Sequence, residues 1–309
     1  FPTCRESCFF APGSVRAMNE RSGSTWTISS HRRWRFHLWR GARSLESGDF
    51  RGAKRHFAAA YHEAPDEPLV CLAWGRELLR AGDPSAAEKL LRRAWDADRS
   101  LSTAGLQLAR VLGLHREQAD EAHRLLDQLR EALGDTAPIR LLRAEMALAE
   151  PTDHEAAKDH LTAAKDLGAD EATVRVGLAR AYNAEGVACS QDGEQHQALF
   201  ALKRATDLDP EWSGPLVNRG AIFDRLGHLG RAVAQYRLAL QLDPRNPVAL
   251  YNLADALHRQ GSRSEAERLY RRLLSLQPGY PGAEAALRRL LSERAPTSET
   301  RQPNTPSEP

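Results

Sequence analysis

No stretch of the chain approaches the ~20 consecutive apolar residues that a membrane-spanning helix requires. Cysteine is nearly as scarce. Cys4, Cys8, Cys71 and Cys189 are too few and too scattered to frame a disulfide-stapled domain. Cys4 and Cys8 also lack the second ligand pair of a structural zinc site, so no metal or other cofactor is expected. A glycine-rich phosphate loop, a nucleophile elbow and a metal-ligand helix pair are all missing. His56/His62 and His154/His160 stand six residues apart, which puts the members of each pair on different helix faces. The chain is therefore expected not to be an enzyme. The short apolar patch Cys8-Phe9-Phe10-Ala11 is cut by Pro12-Gly13, which argues against a cleaved leader and for a cytoplasmic location. Lysine is rare too: 5 against 38 arginines, a bias expected of a GC-rich, bacterial genome.

What is present is a period. Gly186/Gly220/Ala254, Gly193/Gly227/Gly261, Ala198/Ala232/Ala266, Leu202/Tyr236/Tyr270 and Pro210/Pro244/Pro278 each recur 34 positions apart. A fixed period of 20 to 50 residues marks stacked supersecondary units, each too small to bury its apolar face alone. Within 213–246 the spacing predicts a first helix over 216–223, a turn at 226–229 around Gly227 and a second helix over 231–242. Asp243-Pro244 then stops it, because proline cannot continue a helix. Small residues at Gly220 and Ala232 are expected to let the two helices approach closely, with Phe223 and Tyr236 filling the space between units.

This pattern resembles the tetratricopeptide repeat family, whose 34-residue unit has small residues at its eighth, twentieth and twenty-seventh places, an aromatic near the twenty-fourth and proline at the thirty-second. The resemblance implies an all-α, right-handed solenoid of about seven helix-turn-helix repeats with a C-terminal capping helix. The repeats fall near 34–67, 68–101, 102–136, 137–170, 179–212, 213–246 and 247–280, with the cap at 281–294. The stretch 102–178 holds 77 residues, nine more than two units require. Two degenerate units with one residue added in a turn fit it, and a local break in the superhelix is the alternative. Residues 1–30 read as disordered or as an over-extended start ahead of Met18, and the proline-rich 295–309 reads as a disordered tail.

In the resembled family the first helices line a concave groove that takes a peptide or protein segment. Asn218 and Asn252 share the sixth place of adjacent units, and Asn183 lies one place off. In family members that bind extended peptides an asparagine here contacts the peptide backbone, since a carboxamide offers both a donor and an acceptor. Hydrogen bonding within the array is the equal alternative. Arg76 and Arg110 repeat with Arg80 nearby, and Arg225 repeats at Arg259 beside Asp255. Stacked guanidinium groups would favour a carboxylate or phosphate, against a solvated, neutralised face. Two asparagine rungs at about 0.5–1.5 kcal/mol each fall short of the ~8 kcal/mol of micromolar binding, so Tyr251, Phe223, Val217 and Leu72 are the apolar contacts expected to make up the rest.

Charge is uneven. Residues 1–60 carry 11 Lys/Arg against 4 Asp/Glu, and segment 31–43 interleaves arginines with Trp34, Phe36 and Trp39. Such a segment would grip nucleic acid or an anionic surface, unless Trp34, Leu38 and Trp39 are taken up in packing the first unit. The leading expectation is a non-catalytic interaction scaffold. The alternatives are a polyanion binder through 31–43 and a non-catalytic repeat region of a larger enzyme.

Overall fold

The computed structural model describes residues 30–113, 118–149 and 153–293; of the segments expected to be disordered, 1–30 and 295–309, all but Ser30, which begins a helix, lie outside the described residues, as do Cys4 and Cys8. Among the described residues the chain is all-helical, a solenoid of seven helix-turn-helix pairs and a last helix. The pairs are α1 Ser30–Glu46 and α2 Phe50–Glu63, α3 Pro68–Arg80 and α4 Pro84–Ala97, α5 Ser102–Gly113 and α6 Ala119–Leu133, α7 Ala137–Ala147 and α8 His154–Asp166. They continue as α9 Glu171–Gln191 and α10 Gln195–Leu208, α11 Gly214–Arg225 and α12 Leu229–Leu242, α13 Pro247–Arg259 and α14 Arg263–Leu276, and end in α15 Ala283–Ser292. Two compact units, Phe1–Leu142 and Arg143–Pro309, divide inside α7. No helix among the described residues is long and apolar enough to cross a membrane.

The turns explain the recurring glycine. Gly48, Gly82, Gly193, Gly227 and Gly261 all have φ between 77° and 85°, a left-handed conformation that a Cβ disfavours. At Gly227 the amide donates to the Asp224 carbonyl (2.9 Å) and the next amide, His228, to Phe223 (2.8 Å), which satisfies the last carbonyls of α11. His228 is also the N-cap of α12, so one residue closes one helix and opens the next.

The small eighth place has a different partner from the one expected. A Cβ on Gly220 would lie 2.4 Å from the Tyr236 ring, one on Gly186 2.6 Å from Leu202, and one on Gly41 2.5 Å from Phe57. Tyr236 thus fills the space inside its own hairpin rather than only between hairpins, and the eighth and twenty-fourth places are a matched small-large pair. Tyr236 and Tyr270 are 1% and 0% exposed at the centre of the C-terminal core, so burial pushes both hydroxyl pKa values up.

In the middle of the chain the extra residues form helix. Residues 171–178 extend α9 by two turns at its N-terminus, where the Asp170 carboxylate accepts from the Thr173 amide (2.9 Å). The added turns pack: Val174 is buried, and a Cβ on Gly177 would meet Leu161 of α8 at 2.5 Å. Where regular units end at a proline, α6 and α8 end at Gly134 and Gly168, both left-handed, which stop a helix by turning it instead of by removing a donor.

Candidate functional site

The first helices of unit Arg143–Pro309 carry most of the candidate residues. Asn218 Nδ2 donates to Asn183 Oδ1 at 2.8 Å, so these two amides tie α11 to α9 across a spacing of 35 residues. The same spacing from Asn252 reaches Val217, which has no side-chain acceptor. Among the described residues Asn252 makes no side-chain hydrogen bond. The three asparagines thus do different jobs, and only Asn252 keeps its whole carboxamide available.

The arginines at the thirteenth place form rungs at that spacing. Arg225 donates to the Ser190 carbonyl (3.5 Å) and to the Ser190 hydroxyl, tying α11 to α9. Arg259 donates to Asp224 Oδ1 at 2.5 Å, tying α13 to α11, with Asp255 a further 3.8 Å contact. One unit on, the polarity reverses: His258 meets Glu293 at 2.9 Å, and this hydrogen bond, helped by Arg263 and Arg289, holds the Glu293 carboxyl below its usual range. Arg259 is thus partly neutralised by carboxylates, whereas Arg225 is held by the uncharged carbonyl and hydroxyl of Ser190.

In unit Phe1–Leu142, Arg80 pairs with the buried Glu77 at 3.1 Å, an i,i+3 contact within α3. Arg76 and Arg110 are likewise not without partners. The apolar contacts expected to support a ligand are largely consumed by packing. Val217 is 6% and Leu72 7% exposed, and Phe223 packs against the C-terminal core. Tyr251 lies between Tyr270 (centroids 5.9 Å) and Tyr280 (5.5 Å), half-buried in an aromatic cluster. Its accessible part sits next to Asn252 in sequence and one helical turn from Asp255.

Spacing at 34 finds residues that occupy equal places; it misses Ser190, Asp224, His258 and Glu293, which pair at 35. Reading each thirteenth place against the twelfth place of the preceding unit would have found them. Among the described residues no group of three or more His, Cys, Asp or Glu side chains comes together as a metal site.

Family models match along most of the chain. One described as the protein kinase G tetratricopeptide repeat matches residues 21–169, a TPR repeat model matches 220–261, and two tetratricopeptide repeat models match 179–211 and 247–280. No curated protein matches the chain in sequence. Among solved structures, a tetratricopeptide repeat protein from Parabacteroides merdae is similar at TM-score 0.57 and 12% identity, covering 84% of this chain and 99% of that one. A chain of the APC/C hetero-tetramer Cut9–Hcn1 is similar at TM-score 0.55 and 16% identity, covering 83% of this chain and 49% of that one, so the present chain spans about half its length. At these identities the likeness is one of fold.

Proposed function

The chain belongs to the tetratricopeptide repeat family, a protein-interaction scaffold, and on that premise we propose that it is a non-catalytic cytoplasmic adaptor that takes a peptide segment along the first helices of unit Arg143–Pro309. The observation that supports this most is Asn252. Its carboxamide is free where the equivalent Asn218 is spent on Asn183, and Tyr251, Asp255 and Arg259 stand within two turns of it on the same helix. A passing peptide bond would receive a donor and an acceptor from Asn252, and Asp255 and Arg259 would read charge beside it.

The test is to select peptides against the whole chain from a random display library and to measure the affinity of the best one for variants. Asn252→Ala is expected to weaken binding about three- to tenfold, one net hydrogen bond's worth, and Asn218→Ala by less. Unchanged affinity in both variants, with loss of binding on deleting residues 31–43, sinks the groove reading.

A second reading has its own support. Residues 21–169 match the repeat model of protein kinase G, so the scaffold would serve as the non-catalytic repeat region of a kinase. Incubated with labelled ATP, the chain itself is expected to transfer no phosphate to itself or to a generic protein substrate. Phosphotransfer that survives repurification would overturn the non-catalytic part of both readings.

A further inference from the structure

Helix α3 turns three places of its unit, the third, seventh and tenth, toward the preceding hairpin. In α3 these are Val70, Trp74 and Glu77; Val70 is fully buried and Trp74 partly, both in one cluster with Phe57, Ala60 and Tyr61 of α2. The third and tenth places are buried again at Ala104 and Val111, Ile139 and Met146, Ala249 and Ala256, and Ala283 and Leu290. In α1 they are Phe36, Arg40 and Arg43. Phe36 is 42% exposed and both arginines are exposed. The core stripe of α1, Trp34, Leu38 and Leu45, lies on the opposite face against α2 and α3.

This open face is charged as well as apolar. Helix α1 carries five arginines against a single acid, Glu46. Arg33, Arg40 and Arg43 make no ion pair among the described residues, whereas arginines elsewhere, such as Arg92, Arg93 and Arg259, do. Arg40 lies over the Phe36 ring (5.8 Å) and Arg43 over the Trp39 ring (5.9 Å). That takes up ring faces on which a nucleic-acid base would stack, and it leaves an apolar centre edged by cations.

We propose that this face of α1 docks an acidic amphipathic helix of a partner protein, seated where the array elsewhere seats the second helix of the preceding hairpin. Phe36 meets the apolar stripe of that helix, and Arg40 and Arg43 meet carboxylates placed three or four residues apart on it. Phe36 to Arg43 spans about 10 Å, so two turns of the incoming helix engage all three.

Binding to the full chain is measured by fluorescence anisotropy with a labelled acidic amphipathic peptide, its scrambled isomer of equal composition, an oligothymidylate and phosphatidylserine vesicles. The amphipathic peptide is expected to bind at least about tenfold more tightly than its isomer, as two charge-assisted contacts and one apolar one imply. Arg40→Glu with Arg43→Glu is expected to remove that preference, with an unchanged far-ultraviolet circular dichroism spectrum, whereas Arg237→Glu on α12 leaves it intact. Equal binding of the two peptides, tighter binding of oligothymidylate or vesicles, or insensitivity to the double substitution overturns the proposal. So does peptide binding that appears only after residues 1–29 are removed, or self-association abolished by the double substitution, since each names a different occupant.

Discussion

The two compact units make their hairpin turns with the same backbone and fasten them with different side chains. In the first two hairpins of Phe1–Leu142 the residue after the turn glycine is aspartate. Asp49 accepts from the Gly52 amide at 2.8 Å, and Asp83 accepts from Ala86 at 3.0 Å, each satisfying an orphan donor of the second helix. In Arg143–Pro309 the equivalent residues are Glu194, His228 and Ser262, and none of them caps. That unit carries a ladder of first-helix rungs from Ser190 and Arg225 to His258 and Glu293, while in Phe1–Leu142 Arg92 reaches Glu121 of the next hairpin. A left-handed glycine with its two returning hydrogen bonds is thus enough to form the turn. Polar side chains then add stability either inside a hairpin or between neighbours.

The largest effect is expected at the small-large pairs, whose closeness varies within Phe1–Leu142, from Gly41 to Gly75, as well as between the units. Gly220→Ala puts a methyl 2.4 Å from the fully packed Tyr236 ring, whereas Gly75→Ala meets Leu91 at 3.0 Å. Overpacking of about 1–3 kcal/mol against a helix-propensity gain of about 0.5–1 kcal/mol leaves Gly220→Ala net destabilising and Gly75→Ala near neutral. Urea denaturation of both variants checks the order. Next come the caps. Asp49→Ala and Asp83→Ala are expected to cost about 1 kcal/mol each and His228→Ala only a few tenths, with Ser262→Asp stabilising, as read by hydrogen exchange of the following helix.

Weaker still is the ladder. A double-mutant cycle on Asp224→Ala and Arg259→Ala is expected to give a coupling of about 0.2–1 kcal/mol that shrinks with added salt, because both side chains keep solvent contact. The smallest effect is on pH dependence in the first hairpin. His56 Nδ1 lies 3.1 Å from His37 Nδ1, and burial, His37, Arg40 and Arg55 together lower the His56 pKa below 6.5, against a raising effect of Asp49. The unfolded chain then binds the extra proton first. The stabilisation is complete above pH 6.5 and is lost as pH falls through the lowered value. His37 also approaches Glu63 at 4.0 Å. Replacing His56 with Gln should flatten the unit's stability profile below pH 6.5.

The helical class, the turn glycines and the identity of the small places were legible because each is a local demand repeated in every unit. Gly227 must be left-handed, and Gly220 must lack a Cβ. Pairing was harder to read. Sequence spacing does not say that the Tyr236 ring meets Gly220 of its own hairpin as well as its neighbour, and the rungs at 35 stay hidden when columns are aligned at 34. The extra residues ahead of α9 match no unit, so the sequence leaves both two degenerate units and a local break open, and does not show that a helix can lengthen there ahead of the hairpin that follows. For the candidate site, the sequence brought Asn218 and Asn252 forward together. Telling them apart required the hydrogen bond from Asn218 to Asn183, for which Asn252 has no counterpart among the described residues.

The double duty of the turn residue has an evolutionary side. Because His228 ends α11 and begins α12, the hairpin has no spare residue in which an insertion can settle without undoing two helix ends at once. In a hairpin closed this way added length settles at the outer end, as where α9 has grown, whereas the α5–α6 and α7–α8 hairpins have longer connections between their helices. A unit closed in this way is expected to accept substitutions on its exposed helix faces more readily than insertions in its turn.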